Sequence, residues 1–471
     1  MNGVIRLVFS DIKFLYLFLP AFLAVYYIVP ARFRNHVLLG GSIIFYGIGS
    51  VDHPLYAVLL VLNTVLTWYA ALRMKKGAAH RKAWLTGALI LLFGQVFLFK
   101  YEAFLSGAIA SLFGRTILPS LSLALPIGIS FYVFQAASYL IDVYREKYVP
   151  APSLLRFGTY LTMFSQVTSG PIVTYDAIRP GLKSRKLTFA DFAEGLRWFI
   201  LGLAFKVLLA NNIGGLWRDA QNAGYESISF AMSWLGVIGY SLQLYFDFWG
   251  YSLMAQGIGR ILGFRIPDNF LHPYACVSMT EFWRRWHVTL GAWFRNYVYI
   301  PLGGNRRGKF RTILNLLAVW LLTGLWHGAS YNFLLWGLIL FFILVIEKTY
   351  LKDILDSHKL FGHIYMILLI PLTWAVFAET DLSRLSVLMD RLFLLRTGSY
   401  QVLVKGDWLK ALGQYWWLLL ICIGLCFEKP MELFKKYKNS IFVTLLLAAA
   451  LALSVYCINM GLNDPFMYFK F

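Results

Sequence analysis

The sequence predicts an all-α membrane protein that crosses the bilayer many times and forms one domain over residues 1–471. Only 14% of its 471 residues are charged and 59% are hydrophobic, whereas soluble proteins carry roughly 25% charged residues. One bilayer crossing needs roughly 20 mostly apolar helical residues. Such stretches recur along the whole chain, at about 13–29, 55–72, 84–99, 119–141, 195–210, 230–246, 312–346, 364–378, 415–427 and 440–458. Because several are short or are broken by Gly and Pro, we expect about 11 to 13 transmembrane or re-entrant helices.

The charge is unevenly balanced, with 43 Lys and Arg against 23 Asp and Glu, which gives a net charge of +20. The basic residues lie in short connections between apolar stretches, as the positive-inside rule requires. They gather on no single soluble face, which excludes nucleic acid as a partner and leaves membrane lipid. The stretch 13–29 has no signal-peptide cleavage site after it, so we expect an uncleaved first helix.

Several polar side chains lie within the apolar stretches. Gln135 and Tyr139 share one helical stripe, and Gln243 and Asp247 are four residues apart. A polar group at membrane depth is a functional candidate, although each could instead pair with a neighbouring helix. We predict that together these residues line a water-accessible tunnel.

His327 lies in the longest uncharged run of the chain, the 35 residues from Thr312 to Ile346. A straight helix of that length would measure about 52 Å, more than the bilayer core. The run must therefore bend, and Gly324 and Gly328 are its weak points. This places His327 at a break deep in the protein, where a neutral imidazole can act as a general base. We count the adjacent Trp326 among the tunnel-lining residues.

A second histidine, His287, follows Glu281 and Arg284 at intervals of three residues, which predicts one shared helical face. Either histidine alone could be a hydrogen-bonded core residue. No Asp, Cys or third His has the spacing of a metal site, so we predict no metal. Two histidines that face one cavity favour acyl transfer instead.

Two long motifs carry a family resemblance. The stretch "EFWRRWHVTLGAWFRNYVYIPLGGNRRG" (281–308), followed by "LLTGLWHGASYNFLLWG" (321–337), resembles the membrane-bound O-acyltransferase family. It is most similar to the bacterial branch that acetylates polysaccharides such as alginate and peptidoglycan. Further stretches agree, namely 7–30, 125–145, 166–173 and 245–264. Asn296 departs from the Asp that this branch often carries.

The resemblance implies a ring of tilted helices around a central tunnel, in the cytoplasmic membrane of a bacterium. It assigns His327 as the central catalytic histidine and His287 as the second active-site position. It also implies that acetyl-CoA is the donor substrate, with no tightly bound cofactor. The acceptor would be a polysaccharide outside the membrane, reached through a secreted partner such as an SGNH-like acetyltransferase.

The last seven residues, "PFMYFKF" (465–471), resemble an aromatic tail motif of this branch. The resemblance implies that Tyr468 relays the acetyl group. A phenol has a pKa of about 10 and a thiol of about 8.5, so an aryl ester keeps much of the activation of a thioester. His327 would take the phenol proton, and donors near His287 would stabilise the oxyanion. Alternatively, the tail is an interfacial aromatic belt.

The phosphates of CoA require cations. The loop between the two histidine segments supplies our candidates, Arg306, Arg307, Lys309 and Arg311. Arg284 and Arg285 flank His287 and could serve instead, or could pair with Glu281.

Two other functions remain open at this stage. One is a D-alanyl transferase for teichoic acid with a carrier-protein donor, although the aromatic tail of that system typically belongs to a separate peptide. The other is a transporter, although no inverted repeat is visible. The acceptor polymer is not specified by the sequence.

Overall fold

A computed structural model describes residues 7–115, 121, 123–395 and 401–467. Within these ranges the regular structure is helical and contains no β-strand, so the predicted all-α fold is confirmed. The chain divides into two compact units, Met1–Phe199 with Ser252–Asp268, and Ile200–Tyr251 with Asn269–Phe471. The single continuous domain stays a prediction.

The helices of the first unit include a nearly fully buried one, α5, which carries the polar stripe. They are α1 (Leu19–Ile28), α2 (Arg34–Gly49), α3 (Leu55–Arg73), α4 (Arg81–Phe113), α5 (Ile129–Tyr144), α6 (Leu154–Thr162) and α7 (Tyr175–Lys183). Two further helices have residues in both units, α8 (Phe189–Ala204) and α11 (Phe230–Ile261).

The helices of the second unit carry both histidine segments. They are α9 (Asn211–Ile213), α10 (Gly215–Ala223), α12 (Met279–Arg285), α13 (Val288–Phe294), α14 (Gly308–His327), α15 (Tyr331–Ile346), α16 (Lys352–Ser357), α17 (Lys359–Ala378), α18 (Leu382–Phe393), α19 (Asp407–Leu425), α20 (Glu428–Tyr437) and α21 (Ile441–Asn459).

Seven helical segments of the described chain are long and apolar enough to cross a bilayer. They are Leu55–Arg73, Arg81–Phe113, Phe189–Ala223, Tyr331–Ser357, Lys359–Ala378, Asp407–Leu425 and Ile441–Asn459, and the shorter Phe14–Ile28 is also apolar. The protein is thus a multi-pass membrane protein. The larger predicted number of crossings, which includes partial helices, stays a prediction.

The first unit contains a buried segment without helical structure between α6 and α7. Its backbone passes so close to the start of α5 that a Cβ on Gly128 would collide with the Val167 carbonyl. Gly128 also has a left-handed φ of +71°, which favours glycine at this position. Irregular backbone is tolerated at membrane depth when protein surrounds it.

The second unit contains a close pair of helices, α14 and α15, on either side of the break that the sequence predicts. Helix α14 ends at His327, and α15 begins at Tyr331. Gly324 and Gly337 allow the close approach, because a Cβ on either would collide with a backbone carbonyl of the other helix. Small residues serve this purpose in membrane helix pairs. The break that ends α14 at His327 thus lies between two closely packed helices.

We predict that Gly337→Ala destabilises the protein, because the added methyl group meets the Trp320 carbonyl. Such overpacking costs about 1–3 kcal/mol. The matched control is Gly413→Ala in α19, where a Cβ has open space and alanine favours a helix by about 1 kcal/mol. Thermal unfolding in detergent should show a lower midpoint for Gly337→Ala only. Equal midpoints for the two variants would contradict the close-approach role of Gly337.

Candidate active site

His327 is the last residue of α14, and its side chain is 8% exposed. Aromatic rings surround the imidazole, with centroid distances of 4.9 Å to Trp326, 5.2 Å to Trp336 and 5.0 Å to Phe377. The next residue, Gly328, is extended, and a side chain there would collide with the Phe333 ring. The predicted break at His327 is confirmed, and it holds the imidazole in an apolar aromatic cage.

A buried amide connects two of the helices that form this cage. Asn332, at the start of α15, donates to the carbonyl oxygens of Val376 and Phe377 at 3.2 and 3.0 Å. These carbonyls belong to the last turn of α17, so the amide provides partners for groups that a helix end leaves unpaired. The contact fixes Phe377 against His327.

His287 lies in a different local structure from the one that its sequence spacing predicts. Helix α12 ends at Arg285, Trp286 is extended, and His287 is left-handed with φ +44° and ψ +52°. The predicted helical face shared by Glu281, Arg284 and His287 is therefore wrong. Left-handed backbone is uncommon for a residue with a side chain and concentrates at functional sites.

Asn269 stabilises this break from a distant part of the sequence. Its main-chain carbonyl accepts the Val288 N–H at 2.9 Å. Its side-chain Oδ1 accepts the N–H and the hydroxyl of Thr289 at 3.2 and 2.9 Å, and lies 3.1 Å from Nδ1 of His287. A main-chain N–H can only donate, which identifies this amide atom as the acceptor oxygen. Nδ1 of His287 therefore carries the proton, and Nε2 presents a lone pair.

Nε2 of His287, the atom that carries the lone pair, is buried. Nε2 has no hydrogen-bond partner within the described part of the chain. His287 lies outside the candidate membrane spans, and burial lowers the pKa of its imidazole to about 3, so the ring is neutral near pH 7. The neutral ring is an acceptor at this atom, so the oxyanion donors expected near His287 do not include its own Nε2.

Trp326 has its ring near both histidines. The Trp326 ring centroid is 4.9 Å from that of His327 and 6.1 Å from that of His287. All three residues belong to the second unit. The structure thus brings the two predicted histidines into one aromatic cluster.

Asp247 is engaged with the C-terminal segment. It forms a buried ion pair with Lys206 at 2.5 Å, and its other carboxylate oxygen accepts the Met467 N–H at 2.9 Å. Lys206 also donates to the Pro465 carbonyl at 3.3 Å and to the Asn211 side chain at 2.9 Å. Two opposite charges at membrane depth are thus paired with each other and used to hold the tail.

Aromatic contacts extend from the tail to His287. The Phe466 ring stacks on Tyr251 at 4.6 Å and lies 5.7 Å from Phe248. Phe248 in turn meets the His287 ring edge-on at 4.7 Å. The tail is therefore one aromatic ring away from the second histidine. Tyr468, the predicted relay, lies outside the described residues and directly follows Met467 in the sequence.

The other predicted tunnel residues have partners within their own units. Gln135 and Tyr139 belong to the first unit, where Gln135 donates to Gln166 at 3.4 Å and the Tyr139 hydroxyl accepts the Ala151 N–H at 2.8 Å. Gln243, in the second unit, is buried against Gly214. A common tunnel lining stays a prediction.

The predicted CoA-binding residues surround the start of α14. Arg306, Arg307, Lys309 and Arg311 are all exposed. The adjacent Asn305 lines a cavity of about 670 Å³ in the second unit, together with four basic residues, Arg284, Lys348, Lys352 and Lys359. None of these four forms an ion pair within the described ranges of the chain. The sequence reasoning missed the three lysines, although they follow the uncharged run closely.

Two of the three acidic residues of this cavity have partners in the protein, and the third, Asp356, is exposed. Glu347 accepts the N–H groups of Met279 and Thr280 at 2.6 and 2.8 Å, which caps the start of α12. Glu281 pairs with Arg285 at 2.6 Å, as one of the sequence alternatives predicts. The four basic side chains outnumber the three carboxylates of the lining, so the cavity favours an anion.

The fold and the site define a multi-pass helical membrane protein with two buried histidines in one aromatic cluster. The model of the membrane-bound O-acyltransferase family matches residues 88–377, and the chain belongs to this family. It is 37% identical over 388 residues to a probable alginate O-acetylase of Azotobacter vinelandii, which covers 80% of this chain and 76% of that protein. It is 31% identical over 424 residues to a peptidoglycan O-acetyltransferase of Helicobacter pylori, over 82% and 80% of the two chains.

The comparisons do not favour the two alternative functions. A teichoic acid D-alanyltransferase of Streptococcus thermophilus is 28% identical over 254 residues, which is 50% of this chain and 60% of that protein. Membership of an acyltransferase family does not favour the transporter reading.

We predict that the Lys206–Asp247 pair controls how firmly the tail is held. The double substitution Lys206→Met with Asp247→Leu removes both charges, so that neither is left buried alone. Loss of a hydrogen bond to a charged group should speed amide hydrogen exchange at Met467 by about tenfold or more. Asp464→Asn, which breaks a half-exposed ion pair with Arg218, is the control and should change exchange much less. Unchanged exchange in the double variant would show that the pair does not hold the tail.

Proposed function

We propose that this protein acetylates an extracytoplasmic polysaccharide from the cytoplasmic membrane of a bacterium, with acetyl-CoA as the donor. The observation that carries the proposal is the cluster of His327, His287 and the anchored C-terminal segment. The named activities of the relatives support polysaccharide O-acetylation, because those proteins match most of this chain. Which polymer is acetylated depends on the acceptor that reaches the site.

In the proposed first step, the acetyl group moves from CoA to Tyr468. His327 accepts the phenol proton as the phenol oxygen attacks the thioester carbonyl. The carbon–sulfur bond breaks, and the imidazolium returns the proton to the leaving thiolate. The products are acetyl-Tyr468 and free CoA.

In the proposed second step, the acetyl group passes from Tyr468 to a nucleophile outside the membrane. A secreted partner, such as an SGNH-like acetyltransferase, would supply this nucleophile and then acetylate the polymer. The aryl ester remains reactive enough for this transfer, because a phenolate is a far better leaving group than an alkoxide. The described tail supports the relay, since Asp247 holds Met467 and Phe466 contacts Phe248, the ring that meets His287.

The donor would bind at the cavity that Arg284, Lys348, Lys352 and Lys359 line. Ammonium and guanidinium groups recognise phosphates through charge-assisted hydrogen bonds. A volume of about 670 Å³ is in the usual range for small-molecule sites. The exposed basic residues of the 303–311 loop, which the sequence favours, would then attract the phosphates from the rim.

The relay has a direct chemical test. Membranes that contain the full-length protein and its natural partners are given acetyl-CoA labelled with carbon-13. In the unsubstituted protein, mass spectrometry should find the label on Tyr468 and on the polymer. His327→Ala should lose both signals, by about a thousandfold or more if it removes the base of the chemical step.

Tyr468→Phe provides the matched variant, because it removes one oxygen atom. It should still bind acetyl-CoA and should lose polymer acetylation. Full polymer acetylation by this variant would refute the relay, and full acetylation by His327→Ala would refute the assigned site.

The donor cavity has a separate kinetic test. Lys352→Ala with Lys359→Ala should raise the KM for acetyl-CoA by about tenfold and leave kcat nearly unchanged, because phosphate contacts remote from the reaction bind ground and transition states equally. Lys405→Ala with Lys410→Ala removes two exposed lysines elsewhere and should leave KM unchanged. An unchanged KM in the cavity variant would place the donor elsewhere.

A further inference from the structure

The two histidines of the site differ in what surrounds them. His327 is enclosed by the rings of Trp326, Trp336 and Phe377. His287 instead touches Phe248, which also touches Phe466 of the tail. The adjacent residue, Asp247, binds the Met467 N–H. Ring contacts therefore lead from the tail to His287 through Phe248.

A hydrogen bond from Nδ1 to Asn269 fixes the orientation of the His287 ring, and the other ring nitrogen, Nε2, makes no hydrogen bond to the described residues. Asn269 Oδ1 accepts from the Thr289 N–H and hydroxyl as well as from Nδ1 of His287. A flipped amide would turn its own donors toward the Thr289 N–H, so the network specifies the acceptor oxygen. Nε2 is left as a buried acceptor with no partner in the described residues. Such an unsatisfied buried acceptor is destabilising and calls for a functional explanation.

The backbone at His287 gives a second sign of function. Its left-handed conformation, φ +44°, carries strain that a glycine would avoid. The two main-chain N–H groups that follow the break, those of Val288 and Thr289, both bond to Asn269. Asn269 therefore supports the strained turn and orients the ring that the turn presents.

We propose that Asn269 is a positioning residue that sets His287 as the proton acceptor for the second transfer, in which the acetyl group leaves Tyr468. This inference rests on the proposed function, because it requires acetyl-Tyr468 to exist. In this proposal His327 is the proton acceptor when the acetyl group leaves CoA, and His287 is the proton acceptor when the acetyl group leaves Tyr468.

The proposed step balances without a further reactant. The hydroxyl of the incoming nucleophile attacks the acetyl carbonyl of acetyl-Tyr468, and its proton moves to Nε2 of His287. The bond between the carbonyl carbon and the phenol oxygen breaks. Nε2–H then returns the proton to the phenolate, which restores Tyr468 and neutral His287. The proton on Nδ1 stays hydrogen-bonded to Asn269 Oδ1 throughout the step. This bond can stabilise the transient imidazolium.

The experiment measures acetyl-Tyr468 and polymer acetylation separately in membranes that contain the full-length protein and its natural partners. Asn269→Leu removes the acceptor, so the ring is free to change tautomer. We expect acetyl-Tyr468 to form and accumulate several-fold above the unsubstituted protein, while polymer acetylation falls by about tenfold to a hundredfold. His327→Ala should give neither product, which separates the two histidines.

Two further variants distinguish positioning from a general effect on folding. Asn269→Asp retains an oxygen acceptor for Nδ1 and Thr289, so it should restore the ratio of polymer product to acetyl-Tyr468 toward that of the unsubstituted protein. Thr289→Val removes one hydroxyl and keeps the bond between Asn269 and His287, so it should leave this ratio near normal. The folded state of each variant is checked by size-exclusion chromatography in detergent.

Three results would overturn the inference. If the Asn269→Leu variant has less acetyl-Tyr468 and less acetylated polymer in equal proportion, then Asn269 has only a structural role. Asn269→Leu with unchanged polymer acetylation would show that the tautomer is irrelevant. An unsubstituted protein that makes acetylated polymer and never carries label on Tyr468 would refute the relay itself, and the inference with it.

Discussion

The site depends on how this protein provides hydrogen-bond partners for the main-chain groups at helix breaks, in apolar surroundings that exclude water. Unpaired main-chain groups are costly in apolar surroundings, so a break must find its partners in the protein. At His287 the partner is Asn269, which binds the two N–H groups after the break and the imidazole itself. Near His327, Asn332 binds carbonyls at the end of α17. In both places a buried amide fixes the structure beside a histidine.

Main-chain groups of the C-terminal segment also have buried partners, which here are two charged side chains. Lys206 and Asp247 would each be prohibitive alone at this depth, and their pairing reduces the penalty. Their remaining hydrogen-bonding capacity goes to the main chain of the tail, at Pro465 and Met467. The Lys206–Asp247 pair therefore does more than join helices, because it also fixes the position of residues 465–467. This links the end of the chain to the cluster that contains both histidines.

The sequence predicts some of these features and misses others for identifiable reasons. The break at His327 is predictable, because 35 uncharged residues exceed the length of a bilayer crossing and glycines lie close on both sides of this histidine. The break at His287 is not, because a spacing of three residues resembles a continuous helix and the stabilising Asn269 lies 18 residues away. Asp247 is recognisable as a buried polar group, but its partner Met467 lies 220 residues further along the chain. Local patterns cannot specify contacts between such distant segments.

The central claim is that the acetyl group changes hands at His327, in a site that the donor enters from one side and the tail from another. The most direct measurement is an experimental structure of the full-length protein with a non-hydrolysable ketone analogue of acetyl-CoA. We expect the analogue carbonyl carbon within about 4 Å of the His327 imidazole, near attack distance for a nucleophile, with the phosphates at the lysine-lined cavity. An analogue bound far from His327, with that imidazole sealed among its aromatic neighbours, would contradict the account.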